Sequence, residues 1–265
     1  MATINPEELA KRIKRVKSDG SWYEFFAAKD DDTTEVLIYD SISWYGLSAK
    51  KFVDDLKGIT SKNIKLRINS PGGSVFDGLA IYNALRAHPA RVTTRIEGVA
   101  ASIASVIALA GDHVTAADAS FVMIHNPWGM AIGNAQDMRD TADVLDKLGN
   151  TIAEIYARKT GDSVAEMLEK MSDETWYSGS EALEAGLIDE VYDTEEIAAA
   201  ACFDFSGFCN LPEPLQVEPQ PNVVPIDPRD DGDEPIVDDT DPDTGSEHIR
   251  ALMERRIRLH VAECS

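Results

Sequence analysis

The chain has 265 residues, 43% of them apolar, enough for one large hydrophobic core plus an appendage. Its 47 acidic against 25 basic side chains leave a formal net charge of −22. A surface that acidic repels nucleic-acid phosphates and anionic lipid heads, so neither is expected as a direct partner. The opening MATINPEELAKRIKR lacks the apolar stretch of a signal peptide, and the longest uncharged apolar-rich run, Gly98 to Gly111, is about 14 residues, too short to span a bilayer. Cys202, Cys209 and Cys264 form no paired metal-ligand pattern, which points to a reduced, cytosolic chain.

In chain order, residues 1–20 read as an N-terminal segment and 21–200 as one folded domain in which strand-like and helix-like patterns alternate. Strands are predicted over 35–39 (EVLIY), 64–69 (IKLRIN), 92–97 (VTTRIE) and 121–125 (FVMIH), and helices over 49–56, 77–87, 102–110, 135–160, 164–171 and 180–185. That alternation implies an α/β chain with mainly parallel pairing. Residues 201–245 turn rich in Pro, Asp and Glu and poor in aromatics. Such a stretch buries too little apolar surface to offset its ordering entropy and is predicted to be a disordered linker. Over 246–265 a helical pattern returns, with Ile249, Leu252, Met253 and Ile257 near one face and arginines around the others.

Four segments carry residues with chemical potential. NSPGGSVFDG, from Asn69 to Gly78, follows a strand and opens a helix; Pro71 and the Gly72–Gly73 pair let the backbone turn sharply and expose N–H groups, which suit an anion or a developing oxyanion. GVAASIASVIALAG crowds small residues around Ser102, at a helix start where the dipole stabilises negative charge. FVMIHNPWG ends an apolar strand on His125, and DETWYSGSEALEAGLIDEV sets Asp173 and Glu174 before an aromatic pair and a short helix. Each alone has an ordinary structural explanation: a strand-to-helix turn, a packing stripe with Ser102 as helix cap, a satisfied histidine, a surface turn. Together they supply the amide donors, hydroxyl, imidazole and carboxylate that acyl transfer needs.

INSPGG, GVAAS, MIHNP and EALEAGLID, in that order, resemble the motif set of Clp protease proteolytic subunits (ClpP), over about Glu35 to Val191. The resemblance implies a ClpP/crotonase-like spiral of ββα units, assembled as a heptameric ring or double heptamer, with a polypeptide substrate and no cofactor. It also implies site residues: Ser102 as nucleophile, His125 as general base, and the backbone N–H groups of Gly73 and Ile103 as the oxyanion hole. Counting back from GLID puts Glu174 at the position of the family's acid, and Asp173, one residue earlier, is the alternative. The NSPGG turn lacks the Lys-Ser/Thr of a phosphate-binding loop, and no metal or nucleotide site is expected.

SWYGLSAKKFVDDL, ALRAHPARV, HNPWGMAIGNAQDMRDTADVLDKLGN and DETWYSG are similar to ClpP-related head maturation proteases of tailed phages and prophages. This similarity implies that the substrate is capsid or scaffold protein, cleaved in the host cytoplasm inside the assembling prohead, with less need of a Clp unfoldase. In that setting the C-terminal tail reads as a tether whose helix docks on capsid protein. Alternatives are a housekeeping-like ATP-dependent Clp subunit and a non-catalytic capsid-assembly scaffold. A crotonase-type acyl-CoA enzyme would need no Ser–His pair, and a Ser–Lys peptidase finds no lysine between Lys65 and Lys147.

Overall fold

The computed structural model describes residues 22–27, 32–42, 48–193, 205 and 208–212. The chain divides into two units, Met1–Phe203 and Asp204–Ser265. The N-terminal segment, most of the acidic linker and the terminal helix predicted from sequence lie outside the described residues.

The elements of the first unit are, in order, β1 (Tyr23–Ala27), β2 (Thr33–Ile38), α1 (Ala49–Lys57), β3 (Asn63–Ser70), α2 (Val75–Ala87), β4 (Arg91–Ala101), α3 (Ile103–Ala108), β5 (His113–Ala117), β6 (Phe121–Ile124), α4 (Ala135–Thr160), α5 (Val164–Ser172), β7 (Thr175–Ser178), α6 (Gly179–Glu184) and β8 (Glu190–Tyr192). Eight strands form one mixed sheet in the order β1-β2-β3-β4-β5-β8, with β6 on β4 and β7 on β6. The pairs β1/β2 and β6/β7 are antiparallel; the others are parallel. Helices fill the crossovers between parallel strands, which cannot be joined by a tight turn.

Period-two alternation makes the sheet. On β3 and β4, Ile64, Leu66, Ile68, Val92 and Ile96 are buried, while Lys65, Arg67, Arg95 and Glu97 point to the other face. The apolar face packs on Phe52 and Leu56 of α1, Ile81 and Leu85 of α2, and the wholly buried α3. On the other face Arg67 holds Glu97 through Nε at 2.7 Å and a second nitrogen at 2.8 Å, and stands 3.6 Å from Glu35. Burial first, then the Glu35 charge, push the Glu97 carboxyl up from its ordinary 4.5 to about 7.

The four predicted strands are present as β2, β3, β4 and β6, and the six helices predicted between residues 49 and 185 are present within two residues of their expected ends. β1, β5, β7 and β8 are additional. The last two span four and three residues, too short to show a period; they exist because β6 and β5 offer open edges. The expectation of wholly reduced cysteines is corrected. Cys209 is disulfide-bonded, and spacing alone does not reveal which sulfurs approach.

Candidate active site

β4 pairs with two neighbours in succession. Thr93–Ile96 lie against β5, and Val99–Ala101 lie against Phe121–Met123 of β6. Between these stretches the β3/β4 register slips, from Ile68 opposite Ile96 to Ser70 opposite Ala100. Asn69 Oδ1 accepts the Val99 N–H at 3.1 Å inside this irregularity, so that donor is satisfied although it lies outside the β3/β4 ladder. The fork sends the end of β4 beside β6, and the Ser102 N–H donates to Met123 O at 3.0 Å.

Ser102 then turns the chain from β4 into α3 with φ 54° and ψ −130°. A left-handed φ at a residue with a side chain costs about 1–3 kcal/mol and persists only where surroundings impose it. Ser102 holds the N-cap position of α3 but makes no capping hydrogen bond. Its hydroxyl instead lies 2.7 Å from His125 Nε2, where a neutral imidazole protonated on Nδ1 accepts it. His125 is the first residue after β6, so strands β4 and β6, parallel and adjacent, release the two side chains at the same end of the sheet.

The Pro-Gly-Gly turn lies against the elbow. Gly72 (φ 100°) and Gly73 (φ 146°) occupy conformations that residues with a Cβ rarely adopt. A Cβ on Gly72 would stand 2.8 Å from Ser102 Cβ and 3.3 Å from Ile103 N. A parallel bridge to Ile42 pins the turn from behind: Ile42 N–H donates to Gly72 O at 2.7 Å and Ser74 N–H to Ile42 O at 2.9 Å. That pattern uses the groups on either side of Gly73 and points the Gly73 N–H away from Ile42. Ser70 Oγ donates to Asp40 O at 2.6 Å and accepts the Gly72 N–H at 3.2 Å, fixing the turn from within. Ile103 begins α3, so its N–H has no partner one helical turn back, and a Cβ on Gly78 of α2 would overlap its side chain.

The two acids part company. β6 and β7 pair antiparallel with Ile124 opposite Thr175 as the last pair, and His125 and Glu174 are the next residues beyond it on the two chains. The chain stays close there, since Asn126 N–H donates to Met171 O at 3.0 Å. Glu174 has φ 47° and its Oε1 accepts the Trp176 indole N–H at 3.2 Å. Asp173 is the exposed C-cap of α5.

The GLID segment is structural. Leu187 and Ile188 are buried, and Asp189 accepts the Val114 N–H at 2.8 Å and Lys159 Nζ at 2.6 Å, tying β5 to the end of α4. Ile42, Asn69, Ser70, Ser105, Tyr156 and Trp176 join the site only through the fold. Asn69 and Ser70 sat inside a quoted motif; Ile42 and Tyr156 are remote in sequence and carried no local signal.

A hydroxyl on a constrained elbow, an imidazole within hydrogen-bond reach and backbone N–H groups beside them are the parts of a serine nucleophile with its base. The family model for Clp protease matches residues 35–195, more than half of the chain. Among curated proteins the chain is 41% identical over 132 residues to the ATP-dependent Clp protease proteolytic subunit of Bacteroides fragilis, a match covering 49% of this chain and 64% of that one. It is 37% identical over 133 residues to proteolytic subunit 3 of Rhodococcus jostii, covering 49% and 65%. It is 37% identical over 139 residues to proteolytic subunit 1 of Protochlamydia amoebophila, covering 51% and 68%. The chain belongs to the Clp protease family, and its match spans just under two thirds of the Bacteroides relative.

Proposed function

We propose that this chain is a serine endopeptidase of the ClpP type. The observation that carries the reading is the 2.7 Å separation of Ser102 Oγ and His125 Nε2 at the shared end of β4 and β6. His125 takes the Ser102 proton as Oγ attacks the peptide carbonyl, then returns it to the leaving amine; water cleaves the acyl ester by the same path. The Ile103 and Gly73 N–H groups receive the carbonyl oxygen as it becomes negative. Glu174 orients the imidazole: it and His125 directly adjoin the last β6/β7 pair, and Asp173 is the alternative.

The substrate reading is capsid or scaffold protein during phage prohead maturation, in host cytoplasm and within the prohead. It rests on the segments around SWYGLSAKK and HNPWGMAIGN. The second reading is a housekeeping ATP-dependent subunit working with a Clp unfoldase, and the names of the curated relatives favour it. Either is a ring of copies. Exposed Trp128 (59%) and Ile132 (79%) before α4, with Met138 and Val144 on its first half, support self-association through this region.

The test is labelling by a serine-reactive fluorophosphonate of wild type, Ser102→Ala and His125→Ala, followed by mass spectrometry of capsid and scaffold proteins made with active and Ser102→Ala enzyme. Labelling of wild type alone is expected. A folded, assembled wild type that does not label would move the reading to a non-catalytic scaffold. Capsid proteins unchanged by active enzyme, with cleavage of an unfoldase-delivered substrate, would favour the housekeeping role.

A further inference from the structure

Beneath the elbow, a chain of hydroxyls runs from α4 to the Ser102 backbone. Ser105 Oγ donates to Ser102 O at 2.6 Å, and Ser105 N–H donates to the same oxygen at 3.0 Å. Tyr156 Oη lies 2.7 Å from Ser105 Oγ. Because a carbonyl only accepts, the single Ser105 hydroxyl proton is committed to Ser102 O. The Tyr156 hydroxyl therefore donates to Ser105 Oγ, and the three groups form one directed relay. Ser105 and Tyr156 are each 1% exposed, so water does not compete for these bonds.

Ser102 O belongs to the peptide plane that also carries the Ile103 N–H. No peptide bond among the described residues is cis, and in a trans peptide the carbonyl and the following N–H point in opposite directions. Two hydrogen bonds holding the carbonyl toward Ser105 hold the Ile103 N–H the other way. The empty side of Gly72 lies on that N–H, since a Cβ there would come 3.3 Å from Ile103 N. The elbow is strained at Ser102, so its peptide plane has reason to rotate unless it is held.

We infer that Tyr156 and Ser105 are positioning residues: they lock the Ser102–Ile103 peptide so that the Ile103 N–H stays aimed at the oxyanion. This rests on the peptidase reading above. Neither residue touches substrate; both act through the backbone of the nucleophile.

The test measures fluorophosphonate inactivation of the full-length assembled protein over a concentration series, separating the limiting rate constant from the half-saturating concentration. Tyr156→Phe and Ser105→Ala should each lower the limiting rate at least about tenfold, since a misaimed donor loses part of the roughly 10²–10³ that removing one outright costs. Half-saturation should stay within about twofold, since ground-state binding is untouched. The double variant should be no slower than the slower single one, because both cuts open the same relay. Ile152→Val, buried on the same helix, is the stability control and should keep the wild-type rate. The inference is overturned if Tyr156→Phe labels at the wild-type rate, if the two effects multiply, or if Ile152→Val slows labelling equally at matched loss of melting temperature. A folded wild type that does not label rejects the peptidase reading, and this inference with it. Labelling of wild type and Tyr156→Phe alike rejects the inference alone.

Discussion

Gly72 and Ser102 touch through a missing side chain: a Cβ on Gly72 would stand 2.8 Å from the Ser102 Cβ and 2.8 Å from Ala101 O. The turn and the elbow pack at a distance only glycine permits. Gly72→Ala would add this clash to a φ of 100° that alanine disfavours. We expect a loss of stability of about 2–4 kcal/mol and an acylation rate reduced at least tenfold in whatever protein folds. Thermal melting and inactivation kinetics measure both; wild-type values for both would show that the turn yields freely.

Glu174 and Asp173 are separated by one substitution each. With Glu174 as the imidazole's partner, Glu174→Gln should lower kcat by about 10²–10⁴ while leaving KM near wild type. Asp173→Asn, at an exposed helix cap, should change kcat less than about threefold. Peptide hydrolysis by the two purified variants decides between them, and the reverse order would make Asp173 the acid.

Glu97 makes stability depend on pH in an unusual direction. Its folded-state carboxyl is raised to about 7, first by burial and then by Glu35, although Arg67 pairs with it. A raised acid stabilises the fold below its unfolded value, and that contribution is lost as pH rises through the folded one. The melting temperature of wild type minus that of Glu97→Gln should therefore fall between pH 4.5 and pH 7. A difference that grows with pH would mean that the Arg67 pair outweighs desolvation.

Asp189 works the opposite way. Partial burial would raise its carboxyl, but the Lys159 and Val114 hydrogen bonds and nearby His113 hold it below the usual range. This stabilisation is present above the unfolded value and is lost as pH falls through the folded one. Asp189→Ala should lower the melting temperature at pH 7 by roughly 2–10 °C, as expected for about 1–3 kcal/mol in a domain of this size. The deficit should shrink under acid; calorimetry at two pH values measures it.

The central strands and the six helices among the described residues were legible because their signals are local. Alternation in IKLRIN and VTTRIE encodes β3 and β4, and the long polar-apolar pattern after Ala135 encodes α4. The short strands β7 and β8 carry no period of their own, and their edges are defined by β6 and β5.

For the site, the sequence by itself determined which groups are available: a serine in GVAAS, a histidine ending FVMIH, glycines in NSPGG and acids before TWYSG. It left Ser102 and His125 23 residues apart with ordinary explanations open for each. The fork in β4 decided that they meet, because only strand pairing puts the ends of β4 and β6 side by side. Tertiary packing also decided that the Ser102 hydroxyl faces an imidazole and makes no cap, and that Tyr156, 51 residues beyond Ser105, supports its backbone. Period and composition report local preference. The direction of a hydroxyl proton or a peptide plane depends on partners that only the folded chain assembles.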